Sequence, residues 1–159
     1  MASFSFKKLF RRDRERAVHI IKERRRNFRT APKDGAAVLV VDDSKTIRFA
    51  LKKMLSQGGY EVLEAENGRE AIEIAREYDP VLIIMDIVMP ELNGFQATRR
   101  MRKIDETRNI PIVIMSGNKE ATEKFWINRI GANDFMGKPF SRRDVFKRLE
   151  WMVYQNEIN

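Results

Sequence analysis

Asp42, Asp43, Asp86, Ser116 and Lys138 have side chains that together suit one kind of chemistry, and each stands at the end of a short apolar run. Three carboxylates drawn into one partly dehydrated cleft repel each other and need a compensating cation. A hard divalent ion with oxygen ligands answers that need, and Mg²⁺ commonly joins a few carboxylates to waters and phosphate oxygens. A hydroxyl and an ammonium facing a metal-bound carboxylate form a site for the oxygens of a phosphoryl group. One of the carboxylates would then be the nucleophile, giving an acyl phosphate. Taken singly, each residue also has an ordinary reading. Asp42-Asp43 can be a helix cap with an acidic neighbour, and Asp86, with Met89-Pro90 and Asn93-Gly94 behind it, can open a turn. Ser116-Gly117 and Lys138-Pro139 are common loop pairs. Their conjunction, each at a strand end and in order, is what the ordinary readings do not explain.

The elements that must position these residues alternate regularly. Ala37–Val41 reads as a strand covered on both faces, because the run is apolar without interruption. From Ser44 to Gln57, Ile47, Ala50, Leu51, Met54 and Leu55 recur at helical spacing, and Gly58-Gly59 ends the helix. Glu61–Ala65 is predicted as the second strand, with Asn67 capping a helix to about Tyr78. Val81–Met85 follows as a strand, Phe95–Ile104 as a helix, Ile112–Met115 as a strand and Lys119–Ile130 as a helix. Asp134–Gly137 is the fifth strand, and Ser141 with Asp144 caps a last helix to about Gln155. Such alternation predicts an α/β, doubly wound, five-stranded parallel sheet in the order 2-1-3-4-5, a flavodoxin-like (βα)5 fold. Ligands of such sheets bind beyond the carboxyl ends of the strands where the order reverses. That point lies between the first strand, ending at Asp42-Asp43, and the third, ending at Asp86.

With these residues in place, the segment from 37 to 155 resembles the CheY-like receiver domains of response regulators, whose five signature positions match Asp42-Asp43, Asp86, Ser116-Gly117 and Lys138-Pro139. The resemblance implies a phosphorelay in which a histidine kinase phosphorylates Asp86. It implies Mg²⁺ bound directly by Asp43, Asp86 and the carbonyl of Val88, with Asp42 acting mainly through water. Ser116 would hydrogen-bond the phosphoryl group and Lys138 would pair with it. Phe135 occupies the family's aromatic switch position, moving as Ser116 is drawn inward; the plain alternative is a half-buried strand residue. Such a shift needs differential stabilisation of two conformers, which the new phosphate contacts would supply. Val88 offers no polar group to orient an attacking water, so self-dephosphorylation is expected to be slow unless Asn118 provides one. The segments MDIVMPELNGFQATRRM and KEATEKFWINRIGANDFMGKPF are similar to stand-alone regulators of type IV pilus (twitching) chemosensory systems. The implied output is a surface change on the fourth predicted helix, the fifth strand and the last helix, read by a separate effector protein.

Composition excludes several other classes. There is no Cys and only one His, which removes disulfides, thiolate metal sites and imidazole-based triads. No apolar run reaches the roughly 18 residues of a membrane span, and no secretory core is apparent, so a cytoplasmic location is expected. The chain carries 31 Lys/Arg and 23 Asp/Glu, of which 12 and 4 respectively lie in residues 1–37, so the basic excess belongs wholly to an N-terminal extension. Residues 1–36 read as a basic amphipathic helix, with Phe4, Phe6, Leu9 and Phe10, followed by a linker through Thr30–Ala36. This extension could lie on an anionic surface, which would place the protein at the periphery of the inner membrane; an acidic partner, a second copy of the chain, or a solvated tail with no partner are the other readings. The alternative is a transcription-related, nucleic-acid-binding regulator using the basic arm, since charge alone supports non-specific binding. Specific DNA binding is not expected, because a helix-turn-helix fits poorly into 36 residues. Residues 156–159 read as a tail, and no output domain is expected after the last helix. Apart from phosphate uptake and loss, no enzymatic activity is expected.

Overall fold

A computed structural model describes residues 35–117 and 129–158, with side chains through Val153. Most of the basic extension, most of the helix expected over 119–130, Asn118 and Trp126 lie outside the described residues. The strands are β1 (Ala37–Val41), β2 (Glu61–Ala65), β3 (Leu82–Asp86), β4 (Ile112–Ser116) and β5 (Asp134–Gly137). All neighbours pair in parallel, in the order β2-β1-β3-β4-β5. The helices are α1 (Lys45–Gln57), α2 (Gly68–Tyr78), α3 (Gly94–Met101) and α4 (Arg142–Ile158).

Strand alternation divides the core in two. Val38, Val40, Leu82, Ile84, Val113, Met115 and Met136 point to one face, where Leu51 and Leu55 of α1 and Val145, Leu149 and Met152 of α4 cover them. Leu39, Val41, Ile83, Met85, Ile112 and Ile114 point to the other, beneath Ala71 and Ala75 of α2 and Ala97 and Met101 of α3. Of the three interior strands, β1 and β3 are therefore buried at every position and β4 at all but Ser116, which is why they read as apolar runs up to their polar ends. The edge strand β2 is buried only at Ala65.

Four boundaries differ from the sequence reading, the first being β4, which runs one residue further than expected, to Ser116, where it pairs with Gly137. β3 runs one residue later, to Asp86, because its first ladder partner of Val38 is Leu82 rather than Val81. α3 starts at Gly94 behind an Asn93–Gln96 capping box and gives way after Met101 to turns, where Thr107 Oγ1 donates to the Met101 carbonyl at 2.8 Å. α4 continues to Ile158, there being no Gly or Pro after Pro139 to stop it. Its start is capped as expected, with Ser141 N donating to Asp144 Oδ2 at 2.8 Å and Asp144 N to Ser141 Oγ at 3.2 Å.

Candidate functional site

The strand order reverses between β1 and β3, and the residues just past their carboxyl ends meet there. One carboxylate oxygen from each of Asp42, Asp43 and Asp86 lies within 4.8 Å of the others. Asp42 and Asp86 are buried and Asp43 is exposed at the mouth. Asp42 Oδ1 accepts from Ser44 N at 2.9 Å, while Ser44, the N-cap of α1, accepts from Ile47 N at 3.4 Å. Asp86 Oδ1 accepts from Ile87 N at 3.0 Å. The loop after Asp86 folds back on the strand end, with Gly94 N donating to the Ile87 carbonyl at 2.9 Å. Only a glycine fits at 94, because a Cβ there would overlap the Asp86 carbonyl.

Lys138 enters from the far side of the sheet's midline. β5 pairs with β4 through Ser116 and Gly137, and Lys138 N then donates to the Ser116 carbonyl at 2.8 Å. From that anchor Nζ lies 2.8 Å from Asp42 Oδ2 and 3.2 Å from Asp86 Oδ1. Burial alone would lower the Lys138 pKa, but its hydrogen bond to Asp42 and the charges of Asp86 and Asp42 together raise it. The ammonium is therefore firmly charged. Asp86 is raised from the ordinary carboxylate value, first by burial and then by the Asp42 charge, against the opposing pull of Lys138. One ammonium between buried carboxylates leaves the cluster short of positive charge.

That shortage suits a hard dication. The three oxygens lie within 4.8 Å of one another, close to the separation of about 4 Å between opposite ligands of an octahedral Mg²⁺ with metal–oxygen distances of roughly 2.0–2.1 Å. An all-oxygen donor set with an exposed member at the mouth also leaves room for water and phosphate ligands.

The geometry thus brings together Asp42, Asp43, Asp86 and Lys138, with Ser116 at the adjoining strand end. The Val88 side chain is exposed to solvent at 78 %. Phe135 is 6 % exposed and packs in the core with Ile112, Ile114 and Ile130, so it is buried rather than half-buried. Arg148 of α4 donates to the Phe135 carbonyl at 2.9 and 3.1 Å, covering the open edge of β5. Arg48 is absent from the sequence-derived site. Its signal is a charged residue three and seven positions before Leu51 and Leu55, on an otherwise apolar stripe.

The response regulator receiver domain family matches residues 38–150, and the chain belongs to that family. Protein PilH of Pseudomonas aeruginosa is 44 % identical over 114 residues, which cover 72 % of this chain and 94 % of PilH. The chemotaxis protein CheY4 of Vibrio cholerae superposes with a TM-score of 0.70 at 32 % identity, covering 74 % of this chain and 98 % of that one. A receiver domain of a sensor histidine kinase from Pseudomonas aeruginosa, with a magnesium ion coordinated in its active-site cleft, superposes with a TM-score of 0.70 at 28 % identity. It covers 76 % of this chain and 98 % of its own. None of these likenesses supports the nucleic-acid-binding alternative. Among the described residues, no helix is long and apolar enough to cross a membrane.

Proposed function

We propose that this receiver accepts a phosphoryl group on Asp86 from a histidine kinase, in chemosensory signalling of the type IV pilus kind. The observation that carries the reading is the meeting of Asp42, Asp43 and Asp86 at the sheet's reversal point with Lys138 Nζ between two of them. Mg²⁺ held by Asp43, Asp86 and the Val88 carbonyl, with Asp42 through water, would supply charge neutralisation and orientation for the incoming phosphate. An oxygen of the Asp86 carboxylate attacks phosphorus as the bond to the donor nitrogen of the kinase histidine breaks, leaving an acyl phosphate. Lys138 offers its ammonium, and Ser116 its hydroxyl, to the transferred oxygens. A phosphoryl group drawing Ser116 and Lys138 towards itself would pull on the ends of β4 and β5. Phe135 is the adjacent buried ring that would respond.

The likeness to PilH and to a chemotaxis CheY supports the chemosensory placement. The output surface would be the region around β5 and α4, presented to a separate effector protein. The basic residues 1–36 would hold the receiver near an anionic membrane surface. Phosphorylation by acetyl phosphate with Mg²⁺, followed by intact mass, tests the central claim. The expected result is a mass gain of one phosphoryl group that Asp86→Asn abolishes. Persistence of the gain in that variant moves the acceptor elsewhere.

A further inference from the structure

Among the described residues three charged side chains are buried, and only two of them, Asp42 and Asp86, are acids of the pocket. The third is Arg48, 7 % exposed, in the first turns of α1. Burying a guanidinium on a stripe shared with Leu51 and Leu55 is costly unless its donors are matched. They are matched by the backbone that carries the pocket acids. Arg48 Nη1 donates to the Asp42 carbonyl at 2.8 Å and to the Asp43 carbonyl at 3.3 Å. Nη2 donates to Glu66 Oε1 at 2.8 Å, and Nε lies 3.6 Å from Glu64 Oε1. Glu66 stands between β2 and α2, and its own amide donates to Glu70 Oε2 at 2.9 Å, so the outer anchor is tied to the first turn of α2. Asp42 N also donates to the Ala65 carbonyl at 3.1 Å.

We propose that Arg48 is a positioning residue for the acidic pocket: its fork grips the Asp42 and Asp43 carbonyls from behind, bracing them on Glu66 so that both carboxylates are presented to Asp86. The peptide oxygens are committed to the guanidinium, which fixes the planes from which the two side chains leave. Only a planar, forked cation reaches two carbonyls and a carboxylate at once; a lysine ammonium is a point charge on a flexible stem. The inference rests on the reading of the pocket as a Mg²⁺ site.

Mg²⁺ binding discriminates this role from its rivals because they predict different signs. Arg48 is a cation near a cation site, so charge alone says that Arg48→Met should tighten Mg²⁺ binding. A merely structural role lowers the melting temperature but leaves the Mg²⁺ affinity of the folded protein unchanged. Positioning predicts weaker binding, by about tenfold, as is typical when a support of metal ligands is removed. The measurement is titration of the full chain with MgCl2, followed by amide NMR shifts of the folded protein, for wild type, R48M and R48K. Melting temperatures are recorded alongside. Weakened binding in both variants supports the proposal. R48M binding as tightly as wild type or more tightly overturns it, as does an R48K affinity equal to wild type. If R48M does not fold, R48K decides alone, since it keeps the charge and lacks only the fork. Wild-type protein that takes up no Mg²⁺ instead removes the pocket reading, and the role of Arg48 with it.

Discussion

The two rims of one sheet treat charge in opposite ways. At the carboxyl rim, Asp42 and Asp86 are buried with a single ammonium between them, and Asp86 is held above the ordinary carboxylate range. At the amino rim, Arg102 turns its donors to the carbonyls of Gly131 at 2.7 Å, Ile110 at 2.9 Å and Arg108 at 3.0 Å, and to Asn133 Oδ1 at 2.8 Å. Asn133 Oδ1 in turn accepts from Ile112 N at 2.8 Å, so the cluster joins the starts of β4 and β5. Burial lowers the Arg102 pKa, but a guanidinium remains charged in proteins and every one of these acceptors is neutral. A charge saturated by neutral acceptors builds structure. A cluster left short of charge keeps a place for something to bind, and its cost appears as reduced stability of the free protein.

Substitutions at each rim test whether the two differ in this way. The largest effect is at the carboxyl rim: Asp86→Asn should abolish phosphorylation while stabilising the Mg²⁺-free protein by about 1 kcal/mol, as expected where function is held at a cost in stability. Chemical denaturation without Mg²⁺ measures this, and a destabilised variant would show that the rim is not short of charge. At the amino rim, Arg102→Met should cost about 3 kcal/mol, because several carbonyls lose their donor at once. The acetyl phosphate reaction rate per folded molecule should be unchanged, and a slowed reaction would mean that the two rims are coupled. Next comes Gly94→Ala, expected to cost about 2 kcal/mol by forcing a methyl group against the Asp86 backbone, with slower phosphorylation.

The smallest effect depends on pH and Mg²⁺. The folded-state pKa of Asp86 is raised, so its contribution favours folding when protonated and is lost as pH rises through that pKa. The Mg²⁺-free protein should therefore lose stability from acid to neutral pH in a component that Asp86→Asn lacks. Added Mg²⁺ should restore it: at about ten times its Kd, the gain at pH near 7 is about 1.4 kcal/mol, vanishing where the carboxylates are protonated. Melting curves across pH, with and without MgCl2, read this directly. A stabilisation by Mg²⁺ equal at all pH values would place the ion elsewhere.

The order of strands and helices was readable in the chain because it rests on local and periodic signals. Unbroken apolar runs in Ala37–Val41 and Leu82–Met85 require cover on both faces, and Ser44, Asn67 and Ser141 mark helix starts through short-range hydrogen bonds. The same alternation located the reversal point, and with it Asp42, Asp43 and Asp86, since parallel right-handed crossovers leave few topologies open. Tertiary structure alone decided the rest. That Lys138 would pair with Asp42 as well as Asp86, that Phe135 would be fully enclosed, and that Arg48 would grip the backbone behind the acids depend on distances across elements. A charged residue on an apolar helix stripe announces a partner, but the partner's identity is set by which loops pack beside that stripe. Spacing along one element carries no information about that.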